Sequence, residues 1–363
     1  RDDDKVVVYD AQGYPLYSID TGHGTQPVAS VANGSELYVA LYASGEVIQI
    51  DTQQREIVQR LMVGPTPKAM ALFGERLLVT RFISAQQHGE VYDIDISEEL
   101  ELTSTFIVNK ITVADDIVNG SGVPNYLASI VISDDGELAY IAATKANTDR
   151  GLVRNGLPLD DDNTVRPIIA VLDLVNNIDA HFDPSTIEGS LDLDNKADPA
   201  GVTFLADPDA RAYTLQGNNI VVAANPTQSF TNQFATGFGP QEMCTTLRTL
   251  YVKNFTDRTV SAIDVSGFMH DGRLGQNIQT VSTVTEEVLT EKELKGLQLF
   301  YHSSMPEMGQ EGYISCASCH AGGGHDGRTW DITSMGEGVR NTISLNGASG
   351  TRFGNLHWSG NFD

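Results

Sequence analysis

A mainly β chain is predicted: a six- or seven-bladed β-propeller followed by a small α-helical domain. Three observations point there. One strand phrase ending in Asp or Asn recurs six times before residue 284, its spacing is close to 40 residues, and the apolar period then changes to that of a helix. The chain has 363 residues, with 23 Lys plus Arg against 48 Asp plus Glu, for a formal charge of −25. That field repels a polyanion, and no basic stripe is present to hold phosphates, so nucleic acid is excluded as a partner class and an anionic membrane surface is disfavoured. Apolar runs are strand-sized, far below the ~18 residues of a membrane-spanning helix, and no basic-then-apolar leader opens the chain. It reads as soluble, either mature or trimmed. With 40% hydrophobic residues it has material for a sizeable core, and its length suggests roughly two domains.

The repeated phrase runs Val6-Val-Val-Tyr-Asp10, Val47-Ile-Gln-Ile-Asp51, Val91-Tyr-Asp-Ile-Asp95, Ile169-Ala-Val-Leu-Asp173 and Val260-Ser-Ala-Ile-Asp264, with a weaker copy, Val221-Val-Ala-Ala-Asn225. Successive spacings are 41, 44, 78, 52 and 39 residues. About 40 to 45 residues is one four-stranded blade, and the long interval reads as one blade with insertions at Asp115–Val123 and Asn147–Arg166. Lys5 to Asp20 supplies only the last two strands of a blade. The first two are expected from upstream, in a propeller domain (1–284) incomplete at its N-terminus, or from the chain's own later strands. The phrases Pro27-Val-Ala, Glu36-Leu-Tyr-Val-Ala40, Val47-Ile-Gln-Ile-Asp51 and Val63-Gly-Pro65 resemble the YVTN-type propeller repeat.

After residue 284, Thr290 caps a predicted helix of about three turns with Glu293 three residues on, and Leu294, Leu297 and Tyr301 share a face beside Phe300. Gly296 inside it suggests close approach of another helix or a cofactor. Downstream, Cys316-Ala-Ser-Cys319-His320 is CxxCH, the c-type haem attachment signature. Cys316 and Cys319 are then the thioether positions and His320 the axial iron ligand; a zinc half-site lacks its second pair of thiols. Cys244 stands alone and reads as a small buried hydrophobe.

Four segments, Ser315-Cys-Ala-Ser-Cys-His320, Asp326-Gly-Arg-Thr-Trp-Asp331, Gly336-Glu-Gly-Val-Arg-Asn-Thr-Ile-Ser-Leu345 and Leu356-His-Trp-Ser-Gly-Asn-Phe-Asp363, resemble the bacterial dihaem cytochrome c peroxidase and MauG superfamily. Leu294-Lys-Gly-Leu-Gln-Leu-Phe300 is similar to its opening helix. The resemblance covers residues 286 to 363, the first haem half only. It implies a cytochrome c domain (285–363) incomplete at its C-terminus, one haem c in this chain and a second in a missing C-terminal portion. It also implies an inter-haem electron-transfer role for Trp358. Met335 lies near where such peroxidases place a distal ligand; His357 is the other candidate, and His325 a weaker one. Trp330 is expected to pack on the porphyrin, and Arg328 and Arg340 are candidates to pair with propionates.

The expectation is an exported c-type haem protein, periplasmic or at the cell surface, whose propeller is a docking platform. One form is a peroxidase-like or MauG-like oxidoreductase; the other is a non-enzymatic electron-transfer or surface cytochrome subunit. Its partner is a redox protein or another haem subunit. Asp192, Asp194 and Asp198 have calcium-like spacing, yet the EF-hand's sixth-position Gly and terminal Glu are absent, so a solvated inter-blade loop is the better reading.

Overall fold

The computed structural model describes residues 4–115, 120–181, 193, 195–207, 209–225, 227, 230–273, 276–305 and 312–346. Strands β1 (Lys5–Tyr9) and β2 (Pro15–Asp20) form a two-stranded hairpin. An antiparallel meander follows, of β3 (Pro27–Asn33), β4 (Glu36–Leu41), β5 (Glu46–Asp51) and β6 (Glu56–Met62). The next contains β7 (Pro67–Phe73), β8 (Arg76–Arg81), β9 (Gly89–Asp95) and β10 (Glu101–Val108). In the third unit β11 (Val123–Ile132), β12 (Leu138–Ala146), β13 (Val165–Asp173) and β14 (Ile178–His181) lie in chain order. A parallel bridge from Val108 to Ala180 joins it to the second. Two further antiparallel meanders are β15 (Pro199–Phe204), β16 (Arg211–Leu215), β17 (Ile220–Asn225), β18 (Phe230–Ala235), and β19 (Pro240–Thr245), β20 (Thr249–Asn254), β21 (Thr259–Asp264), β22 (Gln276–Ser282).

The fold is mainly β, a β-propeller with five four-stranded units among the described residues rather than six or seven. The overcount has a physical origin. The Asp10 copy of the phrase closes a two-stranded hairpin, while the 78-residue interval holds one unit with two insertions, as its length suggested.

Why the phrase ends in Asp is visible at each turn. Asp51 Oδ1 accepts from the amides of Gln53 (2.8 Å) and Gln54 (2.9 Å), and Asp173 Oδ1 from those of Val175 (3.0 Å) and Asn176 (2.9 Å). Asp95 and Asp264 accept from Ser97 and Ser266 in the same way, at 2.7 and 2.9 Å. A short carboxylate at the strand end thus captures the amides that would otherwise continue the ladder, and the chain turns into its fourth strand. Asn225 does something else: its side chain donates to Asp207. Successive units are also tied by a recurring hydroxyl. Thr80 of β8 donates to the Leu127 carbonyl of β11 at 2.9 Å, and Thr214 of β16 to the Gln241 carbonyl of β19 at 2.6 Å.

Packing divides the chain into two compact units. One comprises Arg1–Asn109, Tyr126–Ile141 and Val171–His181, with a core around Tyr38, Val47, Leu77, Val79 and Ile94. The other comprises Lys110–Asn125, Ala142–Ala170 and Phe182–Asp363, with a core around Ala212, Val221, Leu250, Ile263 and Phe268.

A helix spans Glu291–Tyr301, with Thr290 and Glu293 forming the reciprocal cap and Leu294, Leu297, Phe300 and Tyr301 half-buried. Gly296 has no close protein neighbour among the described residues. It is exposed, and a Cβ added there meets nothing within 4 Å. The small α-helical cytochrome c domain is also not what the described residues form. After this helix they contain only the single turn Ala317–His320, short 3-10 turns, and a hairpin of β23 (Thr329–Asp331) and β24 (Val339–Asn341). Glycines contribute: Gly322 and Gly323 take positive φ just after the Ala317–His320 turn, and Gly336 does so directly after Thr333–Met335.

Candidate functional site

The Cys316–His320 segment forms one helical turn. The amides of Cys319 and His320 donate to the Cys316 carbonyl at 3.4 and 2.9 Å. Cys316 is exposed, Cys319 and His320 are half-buried, and both thiols are free. His320 Nδ1 lies 3.1 Å from the Gly324 carbonyl. A carbonyl only accepts, so Nδ1 carries the proton and Nε2 is left with the lone pair a metal needs. The loop that supplies this carbonyl is itself held, by the Gly322 amide donating to the Tyr301 hydroxyl at 3.2 Å.

Asp198 overturns the expectation of a solvated loop. It is half-buried against this turn: Ser315 Oγ donates to Oδ2 at 2.6 Å and Ser318 Oγ to Oδ1 at 2.7 Å. Burial pushes this carboxyl up to about 6, against the opposing pull of the two hydroxyls. The Asp198 backbone has φ +56° and accepts from the Gln216 amide at 2.9 Å. Alongside, the Gly217 carbonyl accepts from the amide and hydroxyl of Ser303 at 2.7 and 2.8 Å. The spacing around Asp198 does not point to this turn; only three-dimensional contact with serines 117 and 120 residues away in sequence reveals the partnership.

Asp326 is the second residue missed. It is buried, and its carboxylate accepts from the Arg328 amide and from Trp330 Nε1, both at 2.8 Å, while its carbonyl accepts from Asn125 Nδ2 at 2.9 Å. Trp330 is buried with Ala146 and Val165, and Leu159, Cys319 and Ile332 pack against them. Burial, then the charges of Asp326 and Asp198, push the Cys319 thiol well above its usual range. Asp331 extends the anchorage, accepting from the amides of Val153 (2.7 Å) and Arg154 (3.0 Å) in the 147–166 insertion. Gly151 permits this: with φ +146°, an added Cβ there would overlap the Asp331 side chain.

The other site residues are less drawn together. Arg328 is fully buried; Arg340 is half-buried, its Nη1 donating to the Val339 carbonyl at 3.0 Å. Met335 sits on the 3-10 turn Thr333–Met335 and is 58% exposed. His325 is exposed, and its Nδ1 accepts from the Gly327 amide. Cys244 is a correction: it is exposed on β19, because strand alternation turns its neighbour Met243 to the core instead. His357, Trp358, Asp192 and Asp194 lie outside the described residues. Among the described residues, no group of three or more His, Cys, Asp or Glu side chains is arranged to hold a metal ion, and no helix is long and apolar enough to cross a membrane.

No protein-family model matches the chain, and no curated protein matches it. Among solved structures it is similar to Kuenenia stuttgartiensis hydrazine synthase, with TM-score 0.58 and 15% identity over 72% of this chain and 78% of that chain. It is also similar to a chain of the mitotic checkpoint complex, with TM-score 0.51 and 11% identity over 78% of this chain and 73% of that one. At such identities the likeness speaks for the fold alone, and that fold is the β-propeller of the five four-stranded units.

Proposed function

We propose that this chain is an exported c-type haem protein of oxidation–reduction, with Cys316 and Cys319 as the thioether positions and His320 as the proximal iron ligand. The observation that carries the reading is the Nδ1 hydrogen bond from His320 to the Gly324 carbonyl, on the same turn as both thiols. It fixes the tautomer a proximal ligand requires before any metal is present. A porphyrin brings four nitrogens of its own, so one imidazole suffices where a protein-only metal site would need a cluster. Bound there, haem would supply one-electron chemistry, and reactivity toward peroxide if its sixth position were open.

The chain's own residues have separate tasks. Trp330, held by Asp326, supports Cys319 from the apolar side. Arg328 and Arg340 are the candidates to pair with propionates, and Met335 or His357 the candidates for the distal position. The resemblance to the dihaem peroxidase and MauG superfamily supports an enzyme with a second haem and Trp358 between the two. The charge of −25 equally suits an electron-transfer subunit that meets a basic redox partner. Covalent haem attachment on translocated chains places either form in the periplasm or at the cell surface.

Expression of the full chain with a haem c maturation system tests this. A Soret band surviving acid-acetone extraction is expected, with a mass of 39.2 kDa plus haem for this chain. Colourless protein overturns the reading. Peroxide then separates its two forms: a purely low-spin, six-coordinate haem that ignores hydrogen peroxide removes the peroxidase and leaves the electron carrier.

A further inference from the structure

The haem reading uses two thiols and an imidazole, and gives no task to the half-buried carboxylate beside them. A turn of four residues, Ala317–His320, followed by three glycines, cannot order itself: fixing a first helical turn is unfavourable in isolation. Its order has to come from side chains that reach outside it. Ser315 and Ser318 do so, and their hydroxyls converge on the two oxygens of one residue, Asp198, at 2.6 and 2.7 Å. Ser318 Oγ also accepts from the Ser315 amide at 3.0 Å, closing the turn on itself. Asp198 is in turn fixed by the sheet: Pro199 opens β15 directly after it, and its carbonyl accepts from Gln216. Hydrogen bonds to a carboxylate are about twice as strong as neutral ones. A carboxylate drawn partly out of water is costly unless its oxygens are satisfied, and here the satisfying hydroxyls lie in the cysteine turn and directly before it.

We infer that Asp198 is a positioning residue that clamps the Cys316–His320 turn to the propeller, so that both thiols and the imidazole are presented in a fixed arrangement before a cofactor is attached. The purpose of the clamp rests on the haem reading; its existence does not. Thiol reactivity separates the two. In full-length protein made without haem maturation, a small aromatic disulfide reagent labels Cys244, Cys316 and Cys319, each followed by peptide mass. Asp198→Ala is expected to raise the Cys319 labelling rate about tenfold, the effect of losing one good hydrogen bond or more, with Cys244 unchanged as the internal control. Ser315→Ala with Ser318→Ala should do the same and decides the matter if Asp198→Ala does not fold. Asp198→Asn keeps polar atoms in both positions and should restore most of the protection.

With the maturation system present, covalent haem per folded chain should fall at least about threefold in Asp198→Ala and recover in Asp198→Asn. Cys319 labelling at the wild-type rate in both disrupted proteins overturns the clamp. If the wild-type chain takes no haem, the haem reading falls alone, and labelling still decides for or against the clamp.

Discussion

Asp51 and Asp198 are the same side chain used in opposite ways. Asp51 ends a strand on the surface and captures the amides of Gln53 and Gln54, so hydrogen bonding holds its carboxyl below the usual range. Asp95 and Asp264 repeat the device with Ser97 and Ser266. Asp198 is half-buried, accepts from two serines far along the chain, and is pushed up to about 6 by desolvation. Local hydrogen bonds thus make one kind of aspartate an architectural punctuation mark. Burial makes the other a long-range fastener with a standing electrostatic cost.

The largest expected effect follows from that cost. Because the folded value of about 6 stands above the ordinary aspartate value of 3.8, the folded chain keeps a proton that the unfolded chain releases between these limits. Asp198's favourable contribution is therefore fully present below about pH 4, is lost as pH rises through 6, and is level beyond, for a total on the order of 3 kcal/mol. Urea unfolding of wild type and Asp198→Asn at pH 4 to 7 should show their stability difference drifting by that amount in favour of the variant. A difference independent of pH would equate Asp198 with an exposed carboxylate. For Asp51 the sign reverses: its contribution is present above its unfolded value and lost as pH falls.

Gly217→Ala comes next. An added Cβ would lie 2.8 Å from Ala197 Cβ, 2.9 Å from Ser303 Oγ and 3.2 Å from Asp198 Oδ2, inside the joint that Asp198 makes with the Ser315–His320 segment. Overpacking there should destabilise by about 2 kcal/mol. Cys319 labelling should rise with it, since Asp198 is among the displaced atoms. Denaturation with unchanged midpoint would mean that the joint relaxes freely.

The contrast also explains what was legible in the sequence. The strand-ending Asp recurs because a local turn needs it, so the repeat could be read from the sequence, as could the Thr290–Glu293 cap and the Cys316–His320 spacing. Each is a device closed within a few residues. Asp198 and Asp326 carry no such mark: what makes them matter is burial against partners as much as 120 and 201 residues away. Blade number failed for the opposite reason. The Asp10 turn has the local signal without a four-stranded sheet around it: its Oδ1 accepts from Gln12 and Tyr14 just as the blade turns do, in a two-stranded hairpin.

Gly296→Ala gives the smallest effect of definite size, and an opposite sign. The helix Glu291–Tyr301 is capped at its start, and Gly296 lies exposed at its middle with open space where a Cβ would stand. Alanine there should stabilise by about 1 kcal/mol, through lower unfolded-state entropy and better helix propensity. A raised denaturation midpoint, with Cys319 labelling unchanged, would show that this helix and the Asp198 joint respond independently. Destabilisation instead would mean that the glycine is kept for a close neighbour, and with haem attached the same substitution asks whether the cofactor is that neighbour.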